Sequence, residues 1–185
     1  MPVLREESSL NPETLLDQSL LEGSDRRWMV LYTKPRQEKA LARDLLREQV
    51  PFYLPLVKKT LQYARRKLSS HSPLFSGYVF LYASEGERTK TLATNRVLRV
   101  IQVDDPERLV HDLRQLRQLI AANAPLTVES RLVPGDRVRV RKGPFAGIEG
   151  RVLHRRGETR LLVSVNFLQR GASVEIDDFL LEPLV

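Results

Sequence analysis

The chain has 185 residues, a formal net charge of +7 and no cysteine. This length allows one medium domain or two small ones, and the lack of cysteine excludes disulfides and cysteine-based zinc sites. No apolar run is long enough to span a bilayer, and the acidic N-terminal residues do not form a secretory signal, so we expect a cytoplasmic protein without a membrane partner. The positive charge favours a polyanionic partner, although merely soluble proteins carry such charge too.

Residues 1–25 are polar and acidic and show no firm hydrophobic period, which predicts a flexible N-terminal arm with at most one short helix around residues 12–21. Beyond the arm, strand-like and helical patterns alternate as far as residue 122. This alternation predicts an α/β sandwich, in which helices pack mainly on one side of a sheet. Strands are predicted over 28–33, 52–57, 78–82 and 97–103, and helices over 37–48, 87–95 and 106–122.

The strand predicted over 78–82 is apolar on both faces. Tyr78, Phe80 and Tyr82 point one way, while Val79 and Leu81 point the other. The pattern fits a central strand buried on both sides, and it also fits a strand with one face on the core and the other on a partner. For any such run taken alone, an ordinary core strand is the better interpretation.

Residues 58–67 carry five basic groups and no acidic one: Lys58, Lys59, Arg65, Arg66 and Lys67. A run of like charge is usually a solvated face. A hairpin tip that places Tyr63 among these cations could also rest on phosphates. We give the two interpretations equal weight.

A linker is predicted over 123–131, and residues 132–185 change to an all-β pattern. Val138 and Val140 alternate with arginines, glycines recur, and short strands follow at small spacing. These features predict a compact barrel of about five strands. The predicted fold class is therefore α+β with two domains, an α/β sandwich over 26–122 and a small β-barrel over 132–185.

Two parts of the sequence resemble one family. Residues 134–147, read as PGDRVRVRKGPFAG and followed by Gly150 and Val152, look like a KOW motif, and residues 163–170 and 174–177 resemble the rest of a NusG carboxy-terminal barrel. Residues 28–34 and 74–80, with Glu38 and Pro55, are similar to the NusG amino-terminal domain. Ribosomal proteins also carry KOW motifs, but the two halves in this order are specific. The chain thus resembles the NusG family, which implies an SH3-like KOW barrel at the carboxy terminus.

The resemblance implies that the amino-terminal domain binds the clamp helices of the largest RNA polymerase subunit. The matching aromatic positions are Tyr32, Phe75, Tyr78 and Phe80. The competing interpretation is that all four belong to the core, and we expect Phe80 in particular to serve both purposes. The family usually has proline where Ser76 stands. We further expect the basic run at 58–67 to touch DNA at the edge of the transcription bubble.

Relatives use the KOW barrel to hold a small-subunit ribosomal protein or a termination factor. The matching positions here are Phe145, Phe167, Leu168 and Arg170. The implied function is that of a monomeric transcription elongation or antitermination factor without a cofactor. Residues 102–119 lack the glycine- and proline-rich pattern associated with the general NusG factor. Together with the arm and Ser76, this favours a specialised paralogue of the RfaH-like or operon-specific antiterminator kind.

Two function classes compete with this interpretation. An enzyme is disfavoured because His71, His111 and His154 lack metal-ligand spacing, and the sequence has neither a phosphate-cradling glycine loop nor a paired catalytic carboxylate pattern. An RNA-binding module related to ribosomal proteins would instead use the basic residues of the barrel. These are Arg137, Arg139, Arg141, Lys142, Arg151, Arg155 and Arg156.

Overall fold

The computed structural model describes residues 8–17, 24–63, 66–129, 135–155, 157–177 and 180–184. The chain divides into two compact units, of which the first ends at Asp104 and the second begins at Asp105. The described residues form helices and antiparallel sheets, so the predicted mixture of the two is confirmed.

The helices are α1 (Glu38–Arg47), α2 (Glu85–Ala93) and α3 (Pro106–Ala121). The first unit contains the strands β1 (Leu10–Asn11), β2 (Arg27–Thr33), β3 (Phe52–Tyr53), β4 (Leu56–Tyr63), β5 (Arg66–Pro73), β6 (Tyr78–Ala83) and β7 (Val97–Gln102). The second unit contains β8 (Thr127–Glu129), β9 (Arg137–Val140), β10 (Glu149–Arg155), β11 (Glu158–Val165), a 3-10 turn (Asn166–Leu168), β12 (Arg170–Glu175) and β13 (Leu181–Pro183). Within the described residues, no helix is long and apolar enough to cross a membrane.

The first unit is built on an antiparallel sheet in the order β1-β3-β6-β2-β7, which makes β6 the central strand as predicted. Leu41 and Leu45 of α1 lie one helical turn apart, and both are buried with Val79 and Leu81 of β6 in one hydrophobic cluster. The helix ends where the Val50 N–H donates to the Leu45 carbonyl at 2.9 Å, which satisfies a carbonyl of its last turn.

The predicted flexible arm is wrong for the part that the structure describes. Leu10 pairs with Tyr53 at the edge of the sheet, and Leu15 and Leu16 are fully buried. Residues 12–17 form tight turns, in which the Leu15 N–H donates to the Pro12 carbonyl at 2.9 Å. The rest of the predicted helix, over 18–21, lies outside the described residues. Burial of two leucines explains why this segment is held, because apolar surface removed from water stabilises the packed state.

A separate two-stranded sheet consists of β4 and β5, which pair from Leu56 with Pro73 to Tyr63 with Arg66. Residues 64–65, which separate the two strands in sequence, lie outside the described residues. The basic run at 58–67 therefore follows one strand of a long hairpin and begins the other, in agreement with the hairpin considered from the sequence.

The second unit contains an antiparallel sheet of six described strands in the order β13-β9-β10-β11-β12-β8. The prediction of about five strands missed β8, which falls inside the predicted linker. Thr127 pairs with Ser173 and Glu129 with Gly171, so this part of the linker is an edge strand. The buried Glu129 carboxylate accepts a 2.7 Å hydrogen bond from the Ser173 hydroxyl, which adds a polar contact to the pairing.

Helix α3 belongs to the second unit and packs against β11 and the 3-10 turn that follows it. Simple strand alternation would put Leu161 and Val163 of β11 on the core face and Leu162 on the outer face. All three are buried in the structure. A strand covered on both faces is apolar on both faces, and the helix that packs on β11 is the reason a simple inside-outside alternation was wrong here.

Candidate functional site

Among the described residues of the first unit, two tyrosines bring aromatic rings to the surface. Tyr32 on β2 and Tyr78 on β6 are direct cross-strand partners, and their ring centroids lie 5.3 Å apart with the planes tilted by 48°. Tyr32 is 40% exposed and Tyr78 is half-buried. Tyrosines that are rigidly placed and partly exposed are typical anchors of protein interfaces, because each offers a large apolar surface and a polar tip. We call Tyr32 and Tyr78 the tyrosine pair.

Phe75 and Phe80, which the sequence analysis grouped with the tyrosines, are fully buried. The Phe80 ring stacks on Tyr53, with centroids 6.4 Å apart. Neither phenylalanine offers surface to a partner in this structure. The aromatic positions thus divide into two that reach the surface and two that pack in the interior.

A tight turn that contains Gly77 lies directly before Tyr78 and fixes the position of the tyrosine pair. The Tyr78 N–H donates to the Phe75 carbonyl at 3.2 Å, and Gly77 has a positive φ of 85°. A Cβ atom at Gly77 would lie 2.9 Å from Cε2 of Tyr32, so only glycine fits under that ring. The exposed Ser76 occupies the turn position where proline would preset φ.

The buried carboxylate of Glu38 fixes the same turn from α1. Its Oε1 accepts a 2.6 Å hydrogen bond from the Gly77 N–H, while the Gly77 carbonyl accepts one from the Thr33 N–H at 2.8 Å. A charge-assisted bond to a backbone amide is among the stronger hydrogen bonds in proteins. The turn is therefore tied both to α1 and to the end of β2.

An open pocket of about 550 Å³ lies beside this turn and includes Tyr32 and Gly77 in its wall. Three basic residues line it as well: Arg36, Lys39 and Lys59. Among the described residues, the buried Thr33 hydroxyl in the same wall has no hydrogen-bond partner. The arrangement suits a partner that buries apolar groups on the tyrosines and presents acidic groups to the basic wall.

The structure places the predicted nucleic-acid-binding residues on the hairpin of β4 and β5. Lys58 and Lys59 are exposed on β4, and Lys59 also reaches the pocket beside the tyrosine pair. Arg66 and Lys67 begin β5, opposite Tyr63 and Gln62. Arg65 lies outside the described residues.

The four positions predicted to hold a partner on the second unit lie in two places. Phe145 is in the loop between β9 and β10, where it is only 9% exposed. Phe167 and Leu168 belong to the 3-10 turn, and Arg170 begins β12; all three are half-buried. An uninterrupted strand would continue the alternation of β11 through residue 168. The strand instead ends at Val165, because the 3-10 turn and a left-handed Gln169 break the ladder.

Sequence reasoning missed the polar contacts that join α3 to the sheet of the second unit. The buried Asp112 carboxylate accepts hydrogen bonds from Asn166, at 2.9 Å from its N–H and 3.1 Å from Nδ2. Burial raises the pKa of Asp112, and the Asn166 bonds and the Arg108 charge oppose that rise. Further along the helix, Gln118 Nε2 donates to the Ala146 carbonyl at 2.9 Å. The only available signal was a carboxylate beside the leucine stripe of α3.

The described residues contain no group of three or more histidine or acidic side chains placed to hold a metal ion. Comparison with curated proteins finds no match. Among solved structures, one titled "Domain interaction in Thermotoga maritima NusG" is similar at 18% sequence identity and a TM-score of 0.47, over 86% of this chain and 98% of that one.

The family model described as transcription termination factor NusG matches residues 26–122, which is just over half of the chain. The matched range contains the tyrosine pair, the Gly77 turn and Glu38. The chain therefore belongs to the NusG family.

Proposed function

We propose that the protein is a transcription elongation and antitermination factor that binds RNA polymerase through its first unit. The observation that carries this proposal is the exposed tyrosine pair, fixed by a hydrogen-bonded turn, in a chain of the NusG family. The proposed partner surface is the helical hairpin of the clamp in the largest polymerase subunit. A helical hairpin offers apolar side chains that can cover two tyrosine rings, and aromatic anchors supply much of the affinity in such interfaces.

Within this proposal the four aromatic residues have two roles. Tyr32 and Tyr78 contact the polymerase, whereas Phe75 and Phe80 are buried and support the fold of the first unit. The basic wall formed by Arg36, Lys39 and Lys59 receives acidic residues of the partner. Complementary charge of this kind raises the association rate and fixes orientation more than it raises affinity.

The hairpin and the second unit supply the remaining contacts. Lys58, Lys59, Arg65, Arg66 and Lys67 are proposed to touch DNA at the edge of the transcription bubble. The second unit, proposed to be a KOW barrel, recruits a ribosomal protein or a termination factor through Phe167, Leu168 and Arg170, with Phe145 supporting the loop beside them. The protein acts in the cytoplasm as a monomer. We keep the specialised, operon-specific paralogue as the proposed subtype, over the general NusG factor.

Polymerase binding by full-length variants tests the proposal. Tyr78→Ala and Tyr32→Ala should each lower the affinity for purified core RNA polymerase by more than tenfold, since truncating an interface anchor costs about 2 kcal/mol or more. Leu98→Ala is the matched control, because Leu98 is a large exposed apolar side chain on β7 of the same sheet. Circular dichroism checks that all three variants fold. Wild-type affinity in both tyrosine variants would contradict the proposal.

A further inference from the structure

Strands β9 and β10 of the second unit place two different charge pairs side by side. Arg139 lies directly opposite Glu149, and their side chains form an ion pair with Nη2 2.6 Å from Oε1. Two residues further along, on the same face of the sheet, Arg137 lies directly opposite Arg151. One pair is complementary, and the other sets two guanidinium groups against each other.

The Arg137–Arg151 pair is unfavourable on its own. Like charges on directly opposite residues of an antiparallel pair destabilise the sheet. Among the described residues, neither arginine has an ion-pair partner within 4.0 Å. Arg151 is held in place by a 2.8 Å hydrogen bond from its Nη1 to the Gly135 carbonyl. Sheet stability does not explain two cations at these positions, so a bound anion is the simplest reason for them.

Both arginines line a small polar cleft of about 70 Å³, to which α3 contributes Arg108 and His111. Both acidic residues in its wall form ion pairs with arginines. The Asp112 Oδ2 accepts the two bonds from Asn166, while its Oδ1 lies 3.2 Å from Nε of Arg108 and has no hydrogen-bond partner among the described residues. Glu149 is paired with Arg139. The hydrogen bond from Arg139 holds the pKa of Glu149 below its usual value, so that carboxylate stays ionised and committed to Arg139. We call this cleft, lined by Arg108, His111, Arg137 and Arg151, the arginine cleft.

We propose that the arginine cleft binds a phosphate group of a nucleic-acid backbone. Guanidinium groups donate paired N–H bonds that match the oxygens of a phosphate. Exposed arginines also continue along the strand from Arg137 to Arg139 and then Arg141. Alternate residues of a strand lie on one face about 6.7 Å apart, so these cations form a row that a repeating polyanion can follow.

The surroundings of the cleft favour binding to the backbone without base recognition. Val128 is the sole large hydrophobic side chain that is exposed among the described residues of the second unit. Single-stranded nucleic acids are usually read by stacking bases on exposed aromatic rings, and that part of the unit presents none. The expected binding is therefore independent of sequence and steeply dependent on salt. It does not require the polymerase contact proposed above.

Fluorescence anisotropy of the full-length protein tests this site with a short labelled single-stranded RNA and a short labelled DNA duplex. Arg137→Gln combined with Arg151→Gln should weaken binding about tenfold or more. The log–log salt slope should fall by roughly 0.7 to 0.9 for each phosphate that the variant no longer neutralises. Arg114→Gln combined with Lys142→Gln is the matched control, since it removes the same charge from exposed positions of the second unit that neither line the cleft nor belong to the row of arginines. The control should keep the wild-type slope.

A second pair of variants separates folding from binding. Without nucleic acid, the double glutamine variant should unfold at a temperature no lower than that of the wild type, because the substitutions remove a like-charge contact. Arg137→Lys with Arg151→Lys keeps the charge and should retain most of the binding. Binding of either nucleic acid that disappears in the glutamine variant alone supports the proposal. Failure to bind both probes, or an equal reduction of binding in the control, would overturn it whatever the polymerase affinity.

Discussion

At the residue scale, Glu87 joins two parts of the first unit through one carboxylate. Its Oε2 accepts a 2.9 Å hydrogen bond from the Ser84 N–H, and the Ser84 hydroxyl accepts one from the Glu87 N–H, which completes a capping box on α2. The same carboxylate pairs with Arg26, whose Nη2 lies 2.6 Å from Oε1. The Arg26 hydrogen bond is the main reason that the pKa of Glu87 is lowered to about 2. The residue just before β2 is thus tied to the start of α2.

Glu87→Gln should destabilise the first unit at neutral pH by about 1 kcal/mol, because it removes an ion pair and weakens a helix cap. The pKa of Glu87 is lower in the folded state than its ordinary value of 4.5. Its contribution is therefore complete above that value and disappears as the pH falls towards about 2. Urea unfolding of wild type and variant should differ at pH 7 and converge at the acid end.

The control for this prediction is Glu85→Gln, in the same first turn of α2. The Glu85 side chain is 76% exposed and pairs only with its helix neighbour Arg88 among the described contacts. An exposed pair within one helix contributes a few tenths of a kcal/mol. If the two glutamine variants were destabilised equally, the link between Arg26 and Glu87 would have no special role.

At the scale of elements, periodic segments were predictable and short ones were not. The three helices lie within one or two residues of their predicted ends, because leucines at helical spacing and caps such as Asp105 mark them. The two-residue strand β1 has no period of its own, and its position depends on pairing with β3. For the same reason β8 was taken for linker. The position of such a short strand is determined by the strand with which it pairs. That partner is distant in the sequence, so a local residue pattern does not reveal it.

In the candidate site, too, local patterns were predictable and features that depend on strand pairing were not. Aromatic residues alternating on β6 pointed to Tyr78, but both faces of that strand are apolar, so the pattern could not tell that Phe80 is buried while Tyr78 reaches the surface. Arg137 and Arg151 are cross-strand partners only because of the register in which β9 pairs with β10. That register is determined by the loop between the strands, where Gly143 and Gly147 adopt positive φ.

Leu16→Ala tests the arm as an element of the first unit. Leu16 is completely buried, and truncating a buried leucine typically costs roughly 2 to 5 kcal/mol, because apolar burial is reduced and a cavity is left behind. Thr14→Ala is the control, since Thr14 is exposed in the same segment. Denaturant unfolding of the full chain measures both. Ordinary surface substitutions change stability by up to about 0.5 kcal/mol. A destabilisation below that value for Leu16→Ala would support the original prediction of a flexible arm.

At the scale of the whole molecule, the compact units and the family model place the domain boundary on opposite sides of α3. The family model extends through residue 122 and so includes the helix, whereas the second compact unit begins at Asp105, the residue whose side chain caps α3 through the Arg108 N–H at 2.9 Å. The contacts of Asp112 with Asn166 and of Gln118 with Ala146 tie the helix to the second sheet. The domain boundary after residue 122, proposed from the sequence, therefore competes with one before Asp105.

Two fragments decide between these boundaries. Residues 105–185 should unfold at a clearly higher temperature than residues 123–185, because the shorter fragment exposes the apolar face that α3 covers and leaves the Asn166 amide without its carboxylate. A hydrogen bond to a charged group typically contributes about 1.5 to 3 kcal/mol. Asp112→Ala within the longer fragment should remove part of the difference, since it deletes that carboxylate and keeps the helix. Equal unfolding temperatures for the two fragments would assign α3 to the first unit and place the boundary where the family model ends.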